Sequence, residues 1–232
     1  MSGREAMTVP EVLVAGGEPP GSRLLAAIDA ACAAAEDAAG RTPLVVRLGG
    51  EEAQPSRFAG VDVHLVNKWE RALRRVERLG AVTIAVAEGA CTGAALELLL
   101  CCDYRITSRS AVFGLPLIGS TPWPGMALHR LVDQIGLAGA RRLALFGSRI
   151  DAAQAAALGL VDETADDVAA ALVEVLVRCD GVAGAEAAVR RRLLLDAAST
   201  PFEEALGVHL AACDRTLRHE RGETPAEPFP QW

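Results

Sequence analysis

The stretch GACTGAALELLLCCD, residues 89–103, sets a single carboxylate, Glu97, between Leu96 and Leu98 just after a turn of small residues. A glycine-containing turn that opens a helix presents unpaired backbone N–H groups and the positive end of the helix dipole. Such a terminus can hold a phosphate or stabilise an oxyanion. At 3.6-residue spacing Glu97 shares its helix face with residues 93, 100, 101 and 104, which are Gly, Leu, Cys and Tyr. That face is not a solvated stripe, and an acid on it is costly unless it is paired, protonated or functional. Two readings stand side by side: a partly exposed or salt-bridged glutamate, or a buried acid with a raised pKa suited to general acid–base work. The turn lacks G-x-G-x-x-G spacing and a Lys-Ser/Thr ending, which excludes a dinucleotide fingerprint and a P-loop.

The elements that must position this stretch alternate in type. EVLVA (11–15) reads as a short strand, GEPPG (17–21) as a breaker, and 22–39 as a helix closed by Gly40. TPLVVRLGG (42–50) is a buried strand entering a glycine loop; 61–80 is a helix on which Leu65, Trp69, Leu73 and Val76 keep helical spacing. AVTIAVAEG (81–89) is the next buried strand, and 103–114 reads as two short strands. From Gly125 onward the pattern is helical over 125–136, 138–146, 151–157, 166–178, 183–197 and 201–219, with one strand signal at 159–163. Strand–helix alternation with apolar strands predicts an α/β fold with right-handed crossovers. The expected division is an α/β core over 1–163 and a helical segment with an extended, proline-bearing tail over 164–232.

Composition narrows the partners. The chain has 232 residues, 51% of them hydrophobic, which is enough to bury a sizeable core. A formal net charge of −7 argues against nucleic acid or an anionic membrane as the main partner. No uncharged apolar run reaches the length of a membrane span. Six cysteines show neither C-x-x-C pairs nor metal-like spacing, and Cys101 and Cys102 read as small hydrophobes in a leucine run. A reduced, cytoplasmic protein without a metal is the expectation. Lys68 is the sole lysine; with Arg71, Arg74 and Arg75 it forms a charge run that is either a solvated helix face or a phosphate contact.

TIAVAEGACTGAALELLLCCDYRITSRSAVFGLP resembles the signature region of the crotonase (enoyl-CoA hydratase/isomerase) superfamily. FAGVDV (58–63), PGMALHRL (124–131) and RRLALFGSRIDAAQAAALGLVDE (141–163) resemble further family motifs, in the family's order. The short length and departures from the motifs look most like the accessory crotonase-type enzymes of dihydroxyphenylglycine biosynthesis in secondary metabolism. The resemblance implies a crotonase-like spiral of ββα units with a C-terminal α-helical trimerisation segment, assembled as a homotrimer or homohexamer. It implies an acyl-CoA or carrier-protein thioester as substrate and no cofactor beyond the coenzyme A moiety. By motif position, the backbone N–H groups of Ala59 and Ala94 would form an oxyanion hole, and Glu97 would be the acid/base. Phe58, Gly60, Asp62, Gly93, Leu117, Trp123 and Gly125 would line the substrate site. Asp62 also fits a plain helix N-cap, the reading preferred here. The family's second glutamate falls on Leu117, which moves no protons, so two-carboxylate hydration is doubtful and single-acid chemistry is expected. Glu88, His64 and His129 are weaker substitutes, each with an ordinary turn, surface or structural role. The alternative is a catalytically degenerate crotonase-fold partner that assists a polyketide or CoA-pathway enzyme.

Overall fold

A computed structural model of the chain describes residues 9–51, 60–118, 121–179 and 185–222. Strands β1 (Glu11–Ala15), β2 (Leu44–Gly50), β3 (Thr83–Thr92), β4 (Tyr104–Ser108) and β9 (Glu163–Ala165) lie in that order in one sheet, each parallel to its neighbour. β2 and the first half of β3 are nearly continuous apolar runs because both of their faces are covered, as in the middle of parallel sheets, whereas the edge strand β1 alternates buried and exposed residues. Leu44, Val46, Leu48, Ala85 and Ala87 point into a core shared with helices α1 (Ser22–Asp37), α2 (Val63–Glu77) and α3 (Ala94–Leu99). Val45, Ile84, Val86 and Ile106 point the other way, onto Val168, Leu172 and Val175 of α6 (Val168–Cys179).

β3 does more than its neighbours. Its first half pairs with β2 and β4, while Ala90–Thr92 pair with β5 (Val112–Gly114), which runs antiparallel to β8 (Ile150–Asp151). The strand therefore runs three residues past its expected end at Gly89 and delivers the chain directly to Gly93 and α3. A two-stranded hairpin, β6 (Leu117–Ile118) and β7 (Thr121–Pro122), leads to α4 (Ala127–Phe146). Gly136 breaks α4 with φ 72° and ψ 163°, in line with the two helices expected there. α5 (Ala152–Ala157) starts from a reciprocal capping box between Asp151 and Gln154.

The chain separates into two compact units at Ala187. β9 occupies the sheet edge and α6 covers the second face, so the segment that follows residue 163 is part of the core. The strand signal at 159–163 is displaced for a local reason. The Leu160 carbonyl accepts from the Arg105 guanidinium at 3.1 Å, and pairing with β4 begins only at Glu163. α7 (Ala185–Ala197) spans the division, and in the second unit α8 (Phe202–Glu220) has no buried residue.

Glycine governs the approach of β2 to β3. Gly49 has φ +104°, and a methyl group on it would lie 2.1 Å from the Glu88 carbonyl oxygen. Gly50 has nearly the same backbone, φ +100°, but open space around it. Gly49→Ala is expected to lower stability by about 2–4 kcal/mol, from strain and overlap together. Gly50→Ala carries the strain alone, at about 1–2 kcal/mol. Urea denaturation midpoints of the two variants give the comparison, and equal losses would mean that the strand contact contributes nothing.

Candidate active site

β3 ends at Thr92, and Gly93 reverses the chain with φ 64° and ψ −136°, a conformation open essentially to glycine. α3 follows with every residue buried. Its last carbonyls are satisfied from outside: Leu100 accepts from the Arg105 guanidinium at 3.1 Å and from the Gln134 amide at 2.8 Å. This short, doubly anchored helix holds Glu97 at 2% exposure.

Two tryptophans flank the Glu97 carboxylate. The Trp69 indole N–H, from α2, donates to Oε2 at 2.5 Å. The other oxygen lies under Gly125, where a methyl group would sit 2.8 Å from Glu97 Oε1 and 2.6 Å from Trp123 Nε1. The Trp123 backbone N–H donates to the Pro116 carbonyl at 2.8 Å, which sets that residue at the base of the β6–β7 hairpin. Gly125 is thus the gap that lets an indole and a carboxylate approach the start of α4 together. Behind them, Arg130 of α4 donates to Glu77 at 2.6 Å and to Glu70 at 2.9 Å, both on α2. The Cys101 thiol donates to the Glu97 backbone carbonyl at 3.2 Å.

Burial is the main influence on this acid. It pushes the Glu97 carboxyl up to about 7; the Trp69 hydrogen bond and Arg130 pull it down, and the charge of Glu70 adds to the rise. Of the two readings left open by the spacing, the buried acid is the one observed. Among the described residues no cation pairs with its carboxylate, because Arg130 is engaged by Glu70 and Glu77.

The remaining expected site residues divide. Trp123 and Gly125 lie against the Glu97 carboxylate, and Gly93 caps the helix that carries it, its carbonyl accepting from the Glu97 N–H at 3.2 Å. Phe58 and Ala59 lie outside the described residues. Gly60, with φ +87°, leads into the residue that caps α2. That residue is Asp62, whose carboxylate accepts from the Leu65 N–H at 2.7 Å, the N-cap preferred from the sequence. The Ala94 N–H, expected to face a substrate oxygen, donates to the Glu18 carbonyl at 3.0 Å. The cause is the exit of β1, where Gly17 donates to Thr92 and brings the next residue onto the turn. Leu117 is 37% exposed on β6, with a methyl carbon 3.3 Å from where a side chain on Gly147 would begin.

Of the weaker candidates, Glu88 and His64 are exposed, and His129 lies 3.0 Å from Asp133 on its own helix. Lys68 and Arg71 are exposed, Arg74 pairs with Glu77, and Arg75 ties α2 to Asp29 and Glu36 of α1. No group of three or more metal-ligating side chains occurs among the described residues. Trp69 is the contact that sequence reading missed. It counted only as one apolar position on a helix face, although a buried indole needs an acceptor for its N–H.

A parallel sheet with a strand–glycine–helix turn that buries a single carboxylate among leucines defines the class of this α/β protein. Residues 56–219 match the model of the enoyl-CoA hydratase/isomerase family, and the chain belongs to that family. It is 45% identical over 207 residues to an enoyl-CoA hydratase of Amycolatopsis orientalis, covering 88% of this chain and 94% of the relative. A probable mitochondrial enoyl-CoA hydratase 2 of Arabidopsis thaliana is 37% identical over 122 residues, 52% of this chain and 40% of that protein. The fold is shared with an enoyl-CoA hydratase from Polaromonas sp. JS666, with a TM-score of 0.77 at 22% identity over 93% of this chain and 91% of that one. An enoyl-CoA hydratase/isomerase from Marinobacter aquaeolei gives a TM-score of 0.73 at 23% identity, covering 94% and 96% of the two chains. The mixed α/β, crotonase-like architecture expected from the motifs is therefore the one present.

The raised Glu97 carboxyl has a consequence for stability. Its folded value of about 7 lies above the unfolded 4.5, so between those pH values the folded protein holds a proton that the unfolded chain has released. That contribution is complete below about pH 4.5 and is lost as the pH rises to about 7. Relative to Glu97→Gln, the wild type is expected to lose about 3 kcal/mol of stability across this window. Melting curves of both proteins from pH 4.5 to 7.5 test it, and parallel curves would mean that Glu97 ionises as freely folded as unfolded.

Proposed function

We propose that the protein acts on an acyl thioester, presented by coenzyme A or a carrier protein, as an enzyme of the hydratase, dehydratase or isomerase type with Glu97 as its single acid–base group. The observation that carries this reading is a glutamate buried beside the strand–glycine–helix turn, with one oxygen on Trp69 Nε1 and a carboxyl near 7. A group with that value is present in both protonation states at neutral pH and serves equally to take a proton and to return one. In the chemistry proposed, the Glu97 carboxylate removes a proton from carbon activated by the thioester carbonyl. The electron pair moves onto the carbonyl oxygen. As the carbonyl re-forms, the protonated Glu97 returns its proton either to the γ-carbon of a conjugated dienolate, which shifts the double bond, or to a hydroxyl leaving from the β-carbon, which departs as water. Leu117 at the family's second-acid position favours isomerisation or elimination over hydration by two carboxylates.

The enolate oxygen would be held by backbone N–H groups of Ala59 and Ala94, each worth about 3–4 kcal/mol of barrier. For Ala94 this requires the Glu18 carbonyl to give way to the substrate oxygen. The reading also includes a role in secondary metabolism, supported by the motif departures at residues 94 and 117. A homotrimer or homohexamer is part of it too, supported by a helix, α8, that exposes Phe202, Leu206, Leu210 and Leu217. The second reading is the non-catalytic partner, a crotonase fold assisting a polyketide or CoA-pathway enzyme. What favours it is the same pair of observations, an occupied Ala94 N–H and an aliphatic residue at position 117.

The experiment is turnover of a panel of enoyl-CoA and 3-hydroxyacyl-CoA thioesters by the wild type and by Glu97→Gln. The variant is expected to lose about 10²–10⁴-fold in kcat while still binding the thioester. Wild-type-like rates in the variant would remove Glu97 from the mechanism. Stimulation of a partner enzyme with no turnover of any thioester would favour the partner reading.

A further inference from the structure

The two oxygens of Glu97 have different surroundings. Oε2 takes the Trp69 indole N–H at 2.5 Å, in a pocket where both residues are almost fully excluded from solvent, at 2% and 1% exposure. Oε1 lies toward Gly125 and Trp123, where the chain has left out a side chain that would overlap both groups. An indole N–H is a donor only, so it fixes the oxygen it meets as an acceptor and keeps the acidic proton off that oxygen.

We propose that Trp69 is the positioning residue for Glu97: its N–H pins Oε2 and thereby selects Oε1, beneath Gly125 and Trp123, as the oxygen that exchanges protons with the substrate. This rests on the acid–base reading of Glu97 given above and adds which oxygen acts and what aims it. A carboxylate with no such donor would rotate about its terminal bond and offer either oxygen. Held at Oε2, it presents one lone pair in one direction, the condition for a near-attack geometry.

The charged and titratable groups packed around the pair are Glu70 and Glu77 on α2, Arg130 on α4 and Cys101 after α3. Arg130 is held by both glutamates at 2.6 and 2.9 Å, and the Cys101 thiol points at the Glu97 backbone carbonyl. These groups set the field at the carboxylate, whereas Trp69 touches it. Removing the indole N–H therefore removes a contact while leaving the surrounding charges in place.

The test replaces Trp69 by β-(3-benzothienyl)alanine through nonsense suppression in the full chain, which keeps the bicyclic shape and exchanges N–H for sulfur. Trp69→Phe is the simpler companion, and melting curves confirm that each variant is folded. Glutamate labelled with ¹³C at the side-chain carboxyl is titrated by NMR, and the Glu97 resonance is assigned by its loss in Glu97→Gln. The Glu97 titration is expected to move up by about one pH unit, the amount one charge-assisted hydrogen bond supplies. The kcat for thioester turnover should fall about tenfold, with KM changed less than about twofold, as when an interaction made in the transition state is lost. The low-pH limb of the kcat profile should move up with the NMR titration. A benzothienyl variant with an unchanged Glu97 titration and unchanged kcat overturns the proposal. If the wild type turns over no thioester, the acid–base reading fails separately, and the titration alone then decides whether Trp69 pins the carboxyl.

Discussion

Burying one carboxylate in a leucine-rich helix is the constraint around which this molecule is arranged. Desolvating an ionised carboxylate is opposed by several kcal/mol, and proteins answer by pairing, hydrogen-bonding or protonating it. Among the described residues no cation pairs with it, and the answer is one indole N–H combined with a carboxyl pushed to about 7. The positions of α2 and α4 follow from that choice. α2 must bring Trp69 to one oxygen, and α4 must begin after a glycine so that its first turn clears the other.

The ion-pair cluster behind Glu97 explains why Arg130 does not pair with it. Arg130 is a buried cation close enough to influence it, yet its guanidinium binds Glu77 through Nε and Glu70 through Nη1. Two glutamates around one arginine leave a net negative surplus, and Glu70 accordingly raises the Glu97 carboxyl while Arg130 lowers it. A cation delivered directly to Glu97 would have kept it ionised and made it a weak proton donor. By holding Arg130 one layer back, the cluster joins α2 to α4 and leaves the Glu97 carboxyl raised. Cys101 packs into the same layer as a small buried thiol, as its place in the leucine run suggested.

The sheet strands and most helices were legible in the sequence because their signals are local. β1 coincides with EVLVA, β2 with LVVRLGG, and α1, α2, α5, α6 and α8 lie within a few residues of their expected limits. The strand–turn–helix that carries Glu97 was legible for the same reason. Asp62 had two physically sound readings, and the cap was legible because its donor lies only three residues away. Other features depend on long-range approach, which no local pattern encodes. The Glu18 carbonyl meets the Ala94 N–H only because β1 and β3 flank β2 and their ends converge. Trp69 meets Glu97 only once α2 lies over α3. β6, β7 and β8 are two residues each, too short to alternate, and β9 was hidden by a turn whose Leu160 is buried without being a strand residue.

One strand joins everything discussed above. β3 is the central member of the parallel sheet through its first seven residues and the partner of β5 through its last three, and it then becomes the turn that aims Glu97. A protein can often open a peripheral element and keep its core, since local unfolding uses the weakest segments. This site has no such freedom. Freeing Gly93 and α3 means detaching β3, and detaching β3 severs the sheet into the β1–β2 and β4–β9 halves. The buried setting of Glu97 is therefore as durable as the sheet itself, because what loosens the one loosens the other.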